Sequence, residues 1–346
     1  MKAKLRVGAL GLTHDHIWSN LADLRASDLG ELVAVADPNP PLLDRVRSEY
    51  GVAAYDSYEA MLEQTELDAV YVYADNAESV ELVEMAADRG LHCLVEKPLA
   101  ADLLGADRML AAVRRAGVQL MVNWPFAWWP GFQHALTMAE SGQIGRLFQT
   151  RYRAAHGGPK ELGCSPYFYD WLYDPARNGA GALADYCSYG AALARHLLGQ
   201  PSRVTGTVGR LVKEYVLVDD NAVIVMQWPR AIAIAEASWS QIGHLTSYVT
   251  AIYGTEGTLL IEPGRDGKVL LADRDHDRGR EVEVPPLPQD AVNATAYFLS
   301  HIAREEPITG LCSAEVGRDA QEILEAGLLS SASGTAVSLP LPMAYA

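Results

Sequence analysis

Three things are scarce in this 346-residue sequence. Cysteine is one. Cys93, Cys164, Cys187 and Cys312 are the four present, and no two form a CxxC pair, which argues against a zinc ribbon or a thioredoxin-type redox motif. Reduced, buried thiols in a cytoplasmic protein are the expectation that remains. Positive charge is the second. With 28 Lys and Arg against 44 Asp and Glu, the net charge is −16 at pH 7. Nucleic acid and anionic membrane surfaces need clustered Lys and Arg, so both are excluded as partners. Long apolar runs are the third. No stretch reaches the ~18 residues of a membrane span. The run Val7 to Leu12 stops at Thr13-His14-Asp15-His16, too short for a secretory h-region. Internal repeats and low-complexity segments are absent too. An ordinary globular composition is left, 49% hydrophobic and 21% charged, long enough for two domains with cores of their own.

The first ~120 residues alternate short β-branched runs with helical patterns. Strands are read at 5–10, 31–36, 69–73, 91–95 and 119–122, with helices at 17–26, 41–50, 57–63, 78–89 and 102–116. Repeated βαβ units of this size imply a doubly wound parallel sheet of Rossmann type. After Asn123 the pattern changes. Trp124 to Pro130 reads as a rigid aromatic loop, and 156–182, rich in Gly, Pro and Tyr, as a structured loop over a site. Long alternating strands at 204–212, 221–228, 231–239, 248–253 and 258–262 predict a large, mostly antiparallel sheet in a C-terminal α+β domain. Helices are expected at 183–198, 291–304 and 314–331. The expected division is 1–122 for a dinucleotide-binding domain and 123–346 for substrate binding and oligomerisation. Few helices are available to cover the second sheet, so a homodimer or homotetramer packed through it is expected.

The turn after the first strand is where a dinucleotide's pyrophosphate meets a helix N-terminus. The glycine fingerprint there reads Gly11-Leu12-Thr13-His14-Asp15-His16 and keeps only its first glycine. Thr13, Asp15 and His16 also suit the helix start as caps. A metal at His14-Asp15-His16 is disfavoured, because no second cluster of ligands stands at metal spacing, and no metal is expected. Asp37 ends the second strand, where a carboxylate accepts hydrogen bonds from the adenosine ribose and meets a 2′-phosphate unfavourably, which favours NAD over NADP. It also suits the start of the Asp-Pro-Asn-Pro turn.

Two further constellations stand out. Glu96-Lys97-Pro98 follows a buried strand at its carboxyl end, with Pro98 keeping Lys97 out of the helical region. Asn178-Gly179-Ala180-Gly181 leads into Leu183-Ala184-Asp185 and, four residues on, Tyr189. At helical spacing Asp185 and Tyr189 share one face. On spacing alone, a first-turn carboxylate for Asp185 and a core aromatic for Tyr189 are the readings that lead.

In combination, the βαβ half, Glu-Lys-Pro and the glycine-rich lead-in to Leu-x-Asp with an aromatic four later resemble the Gfo/Idh/MocA oxidoreductase family over nearly the whole chain. Glu140 to Gly145 and Leu324 to Leu341 resemble its entry to the second domain and its C-terminal helix and strand. The resemblance implies a dehydrogenase that moves a hydride between NAD, or NADP, and a CH–OH carbon of a sugar or cyclic polyol. It implies that Lys97, Asp185 and Tyr189 are catalytic. Tyr189 stands where the family's His is commonest, a substitution shared with its glucose–fructose oxidoreductase and dihydrodiol dehydrogenase branches. Tyr189 is the candidate base, with Lys97 supplying the cation that tunes it. Cofactor contacts fall to Gly11, Leu12, Thr13, His14, Asp37, Asn76, Glu96, Lys97 and Trp124. Substrate contacts fall to Lys97, Trp124, His156, Tyr167, Asp185 and Tyr189. The chain departs from the family at the glycine fingerprint, and at Ala74-Asp75-Asn76-Ala77-Glu78-Ser79, where only Asn76 of the Thr-Pro-Asn-x-x-His stretch survives. These departures favour a second reading, a non-catalytic sugar or dinucleotide sensor on the same fold.

Overall fold

The structure is a computed structural model, and it describes residues 4–342. Strands β1 (Leu5–Leu10), β2 (Gly30–Ala36), β3 (Ala53–Tyr55), β4 (Ala69–Val72), β5 (His92–Glu96) and β6 (Leu120–Asn123) form a six-stranded sheet in the order β3-β2-β1-β4-β5-β6. Every pair is parallel. Its central strands are covered on both faces, so they read as unbroken apolar runs; all four residues of β4 are buried. The connecting helices start and stop where local chemistry says they should. Asp102 accepts a hydrogen bond from the Gly105 amide at 2.7 Å to begin Leu103–Ala116, and Gly117 ends it in the left-handed region. The chain order reverses between β1 and β4, and the crevice at their carboxyl ends is the ligand position of open α/β sheets.

The second sheet has nine strands: β7 (Leu147–Ala155), β8 (Arg203–Gly209), β9 (Asn221–Trp228), β10 (Ala231–Ser238), β11 (Tyr248–Gly254), β12 (Thr258–Ile261), β13 (Val269–Ala272), β14 (Arg280–Val282) and β15 (Val337–Ser338). They run β14-β13-β12-β11-β7-β10-β9-β8-β15. Only β7 and β10 pair in parallel, so the sheet is mostly antiparallel, as the alternation predicts. Helices Ser188–Leu198 and Ala314–Ser333 pack on one face. The other face alternates outward Phe148, Val223, Val225, Ile232 and Leu260, each exposed, around Arg151 and Arg153, which both pair with Glu236.

Two expectations need correction. The helix read at 183–198 is a π turn at Leu183–Cys187 followed by the α-helix Ser188–Leu198. The segment after Val122 is also not confined to the second sheet. Helix Ala294–Arg304 returns to the first, where Tyr71 donates to Thr295 Oγ1 at 3.0 Å and stacks edge-on with Phe298.

Candidate active site

Strand β5 ends at Glu96 and delivers Lys97 to the carboxyl edge of the first sheet. From the second half of the chain the π turn delivers Asp185. That turn is fixed by Asp219, whose carboxylate accepts from the Gly181 and Leu183 amides at 2.6 and 2.8 Å. Burial pushes the Asp219 carboxyl up to about 6, against those two amide donors. The glycines are required here. A Cβ on Gly179, which has φ +81, would overlap the Ala101 carbonyl, and one on Gly181 would overlap that of Asp219.

The two deliveries meet. Lys97 Nζ lies 2.5 Å from Asp185 Oδ1 and 3.2 Å from the Asp185 carbonyl, and Trp239 Nε1–H donates to Asp185 Oδ2 at 3.0 Å. The side chains of Lys97 and Asp185 are only 4% and 8% exposed. Burial works against the charged carboxylate, but the Lys97 charge and its hydrogen bond outweigh it and hold Asp185 below the usual carboxylate range.

Tyr189 sits differently from its expected role. Its ring stacks on Tyr152 at 5.5 Å and meets Phe126 and Trp124 edge-on at 5.0 and 5.6 Å. The Lys97 ammonium lies 5.1 Å from the ring centroid, over its face. Burial, then the neighbouring Tyr152, Glu96 and Asp185, push its hydroxyl well above the ordinary tyrosine value. No tuning of that hydroxyl by Lys97 offsets them. The hydroxyl-rich edge of the site comes instead from Tyr186, which sequence reasoning did not single out. Tyr186 Oη lies 2.8 Å from His156 Nε2 and is hydrogen-bonded to Tyr248. Because His156 Nδ1 accepts from the Gly158 amide at 2.8 Å, a neutral ring carries its proton on Nε2 and donates to Tyr186. Burial keeps His156 below the ordinary histidine value. Tyr167 is half-buried in helix Pro166–Leu172; Phe168 and Trp171 are the rings of that helix that reach His14.

The turn after β1 lies beside this centre. Gly11 has φ +83, and a Cβ there would overlap the Ala74 backbone, so the turn tolerates only glycine. Leu12 N–H donates to Asp37 Oδ2 at 2.6 Å, His14 N–H to the Tyr73 carbonyl at 3.1 Å, and His16 N–H to His14 Nδ1 at 3.2 Å. Thr13 is buried, with Oγ1 3.5 Å from the Tyr73 carbonyl. Asp37 is fully enclosed, and its Oδ1 is taken by the Asn39 amide and side chain. It therefore braces both turns rather than standing free at the strand end. A segment of the second half straps across this edge. The Ser165 amide donates to Asp15 at 2.7 Å, the Phe168 ring packs tilted against His14 at 4.2 Å, Arg177 pairs with Asp75 at 2.6 Å, and Asn76 donates to Asn178 at 2.7 Å.

The indole N–H groups of Trp124 and Trp171 are buried without an acceptor. Leaving a donor so costs about 1–3 kcal/mol, which a ligand oxygen would recover. Trp171 packs 5.9 Å from His14 of the turn, and Trp124 beside Tyr189. The left-handed glycine turn, the helix that begins at Ile17 and the orphaned Trp171 donor fit a dinucleotide lying between turn and strap.

This two-sheet frame is matched by known proteins. A profile described as an oxidoreductase family with an NAD-binding Rossmann fold matches residues 6–124, and the GFO/IDH/MocA C-terminal domain matches 132–260. The chain belongs to the Gfo/Idh/MocA oxidoreductase family. D-apiose dehydrogenase of Paraburkholderia graminis is 28% identical over 305 residues, 85% of this chain and 76% of that protein. Myo-inositol 2-dehydrogenase of Thermotoga maritima is 25% identical over 287 residues, 80% of each. A levoglucosan dehydrogenase solved with NADH and levoglucosan has the same fold, with a TM-score of 0.82 at 22% identity, over 98% of this chain and 100% of that one. Among the described residues of this Gfo/Idh/MocA member, no helix is long and apolar enough to cross a membrane.

Proposed function

We propose that this chain is an NAD(P)-dependent dehydrogenase acting on a CH–OH group of a sugar or cyclic polyol, with chemistry at Lys97. The buried Lys97–Asp185 pair, held where the two sheets meet, is the observation that carries the reading. A fixed ion pair of this kind has no use in a sensor, and the named relatives are dehydrogenases.

The dinucleotide would be held by the Gly11–His14 turn, the N-terminus of helix Ile17–Arg25, Trp171, and Glu96 and Lys97 at the end of β5. When bound, its nicotinamide supplies or accepts the hydride. Lys97 does the rest at the reacting oxygen. Two of its three N–H directions are committed to Asp185, and the third is left for that oxygen. In the reducing direction its ammonium stabilises negative charge as it develops there and gives that oxygen a proton; in the oxidising direction the neutral amine takes the hydroxyl proton as the hydride leaves. Asp185, fixed by Trp239, positions Lys97. His156, Tyr186 and Tyr248 offer hydrogen bonds to the remaining hydroxyls of the substrate. Tyr189 stacks beneath Lys97 as a positioning aromatic.

The two sheets support a division at residues 122/123 into nucleotide and substrate units, with helices Ala294–Arg304 and Ala314–Ser333 also packing against the first. The exposed apolar face of the second sheet supports a homo-oligomer packed through it. All four cysteines are unpaired, three of them buried, which supports a reducing, cytoplasmic setting. Asp75 and Glu78 gather near Asp37, and a 2′-phosphate would meet that acidic cluster, which supports NAD over NADP. Calorimetric titration with NAD and NADP, followed by absorbance at 340 nm against pentoses, hexoses, anhydrosugars and inositols, tests the reading. Binding of neither dinucleotide would overturn it.

A further inference from the structure

His14 and His16 stand in the turn after β1, and Glu96 is the last residue of β5. Each offers one ligand-capable atom, and the three atoms lie within 4.8 Å of one another. The sequence alone shows only a His-x-His pair; folding supplies the third donor from 80 residues away. We propose that His14, His16 and Glu96 bind a divalent first-row transition ion, with Zn2+ as the type, between the ends of β1 and β5.

The donor set selects the ion class. Two imidazoles and one carboxylate suit Zn2+ and its first-row neighbours, whereas Mg2+ and Ca2+ take oxygen ligands. Spacing agrees on one edge of the triangle. His16 Nδ1 and Glu96 Oε1 are 3.0 Å apart, and two donors each about 2.1 Å from one ion stand roughly 3.0–3.4 Å apart. Their present hydrogen bond is the contact an ion would replace. Closing the other edges needs an approach of roughly 1.5 Å by His14.

The surroundings are built to orient these donors. Glu96 Oε2 accepts from Asn123 Nδ2 at 2.7 Å, and Asn123 Oδ1 accepts from Trp128 Nε1 at 2.9 Å. That chain turns Oε1 toward the histidines, the role that outer hydrogen bonds play at metal centres. His14 is buried against Phe168 and Trp171. Its Nδ1 lone pair now accepts the His16 amide N–H at 3.2 Å, a contact that a metal bond would replace. The positive charges nearby are already matched: Lys97 by Asp185, and Arg265 by Asp23. An entry path exists. His16 is 40% exposed and lines a cavity of about 290 Å³ with Asn123, Trp128, Trp129, Asp23 and Arg265. With three protein donors, the remaining positions face that cavity and are open to water or a substrate oxygen.

The proposal does not depend on the dinucleotide reading, because its test uses the metal alone. The full-length chain, stripped with chelator, is titrated calorimetrically with Zn2+ and separately with Co2+, whose visible absorption reports coordination. One equivalent should bind with Kd below roughly 10 μM. His16→Ala, at a half-exposed position, and Glu96→Gln should each weaken binding by about 10-fold or more. His276→Ala, at the exposed Asp273–His276 pair, should leave it unchanged. Circular dichroism confirms that each variant is folded. No saturable binding to the parent chain, binding insensitive to both His16→Ala and Glu96→Gln, or binding lost with His276→Ala would each overturn the site. Binding that survives His16→Ala and falls only with Glu96→Gln would reassign the ion to a carboxylate site without the histidines, and would overturn it equally.

Discussion

Lys97→Met separates what the ion pair does for the fold from what Lys97 does for the reaction. In the parent chain Asp185 has Lys97 on Oδ1 and Trp239 on Oδ2, in a site almost closed to water. The substitution keeps most of the side-chain volume but leaves a buried carboxylate with one neutral donor. Removing one partner of a buried pair costs about 3–5 kcal/mol. In a chain of this size that corresponds to a fall in Tm of roughly 4–7 °C. The pH dependence gives the sign. In the parent, Asp185 is held below the usual range, so its contribution is present above the unfolded carboxylate value and is lost only as pH falls through the lowered one. In the variant burial is opposed only by the Trp239 donor and the more distant His156, the carboxyl is pushed up, and stability declines as pH rises through the raised value. The Tm gap between variant and parent is therefore widest at neutral pH and shrinks toward pH ~4. Differential scanning fluorimetry across that range reads it directly. Asp185→Leu combined with Lys97→Met removes both charges and should recover much of the lost stability, while activity stays absent. Turnover of Lys97→Met, measured at a temperature where it is folded, should fall by about 10²–10⁴. A Tm gap that is constant with pH would refute the electrostatic argument. Near-parental turnover would refute the assignment of Lys97.

Four other outcomes are expected. Tyr189→Phe should cost less than about 10-fold in kcat, against the 10²–10⁴ of a lost acid–base group; a loss in that higher range would restore its hydroxyl as the proton carrier. Tyr186→Phe, which removes the partner of His156, should raise KM for the sugar more than it lowers kcat, and the reverse split in steady-state kinetics would contradict a substrate-binding role. Burial, then Asp75 and Asp37, raise the Glu78 carboxyl to about 7, so the parent should lose stability as pH rises from ~4 through 7. Glu78→Gln should flatten that slope in thermal melts, and parallel slopes would show that Glu78 is not its source. Val223→Glu with Val225→Glu places charge on the open sheet face and should lower the mass measured by light scattering; an unchanged mass would move the oligomer contact elsewhere.

The parts of the fold that are legible in the sequence are those where burial imposes a period. Strands β1, β4 and β9 match closely because unbroken or strictly alternating apolar runs leave little freedom in register. Strands β3, β13, β14 and β15 escape such a reading because two to four residues are too few to show alternation. Lys97 and Asp185 are legible through the family pattern around them, and the structure brings them into contact. Partners drawn from distant segments are not. Asp219, Trp239 and the His16–Glu96 contact depend on closures across tens of residues, and nothing in local spacing announces them.

The pairing of Asp185 with Tyr189 shows a different kind of limit. Residues four apart share a face only if the helix between them has 3.6 residues per turn. Here the turn is a π turn, with hydrogen bonds reaching one residue further and so one extra residue in the winding. That extra residue leaves no trace in composition or hydrophobic period. Geometrically it rotates the chain before the turn against the helix after it, by roughly the 100° that one residue subtends in an α-helix. Lys97 consequently meets the carboxylate of Asp185 but only the ring face of Tyr189, while Tyr186 hydrogen-bonds His156. The cost of such a turn is met by Asp219, which takes the two amides at its start, and by glycines at 179 and 181, where any side chain would strike backbone. A π turn held this firmly at the meeting point of two sheets is what sets the position of Asp185, and through it the direction of the one Lys97 proton left for substrate.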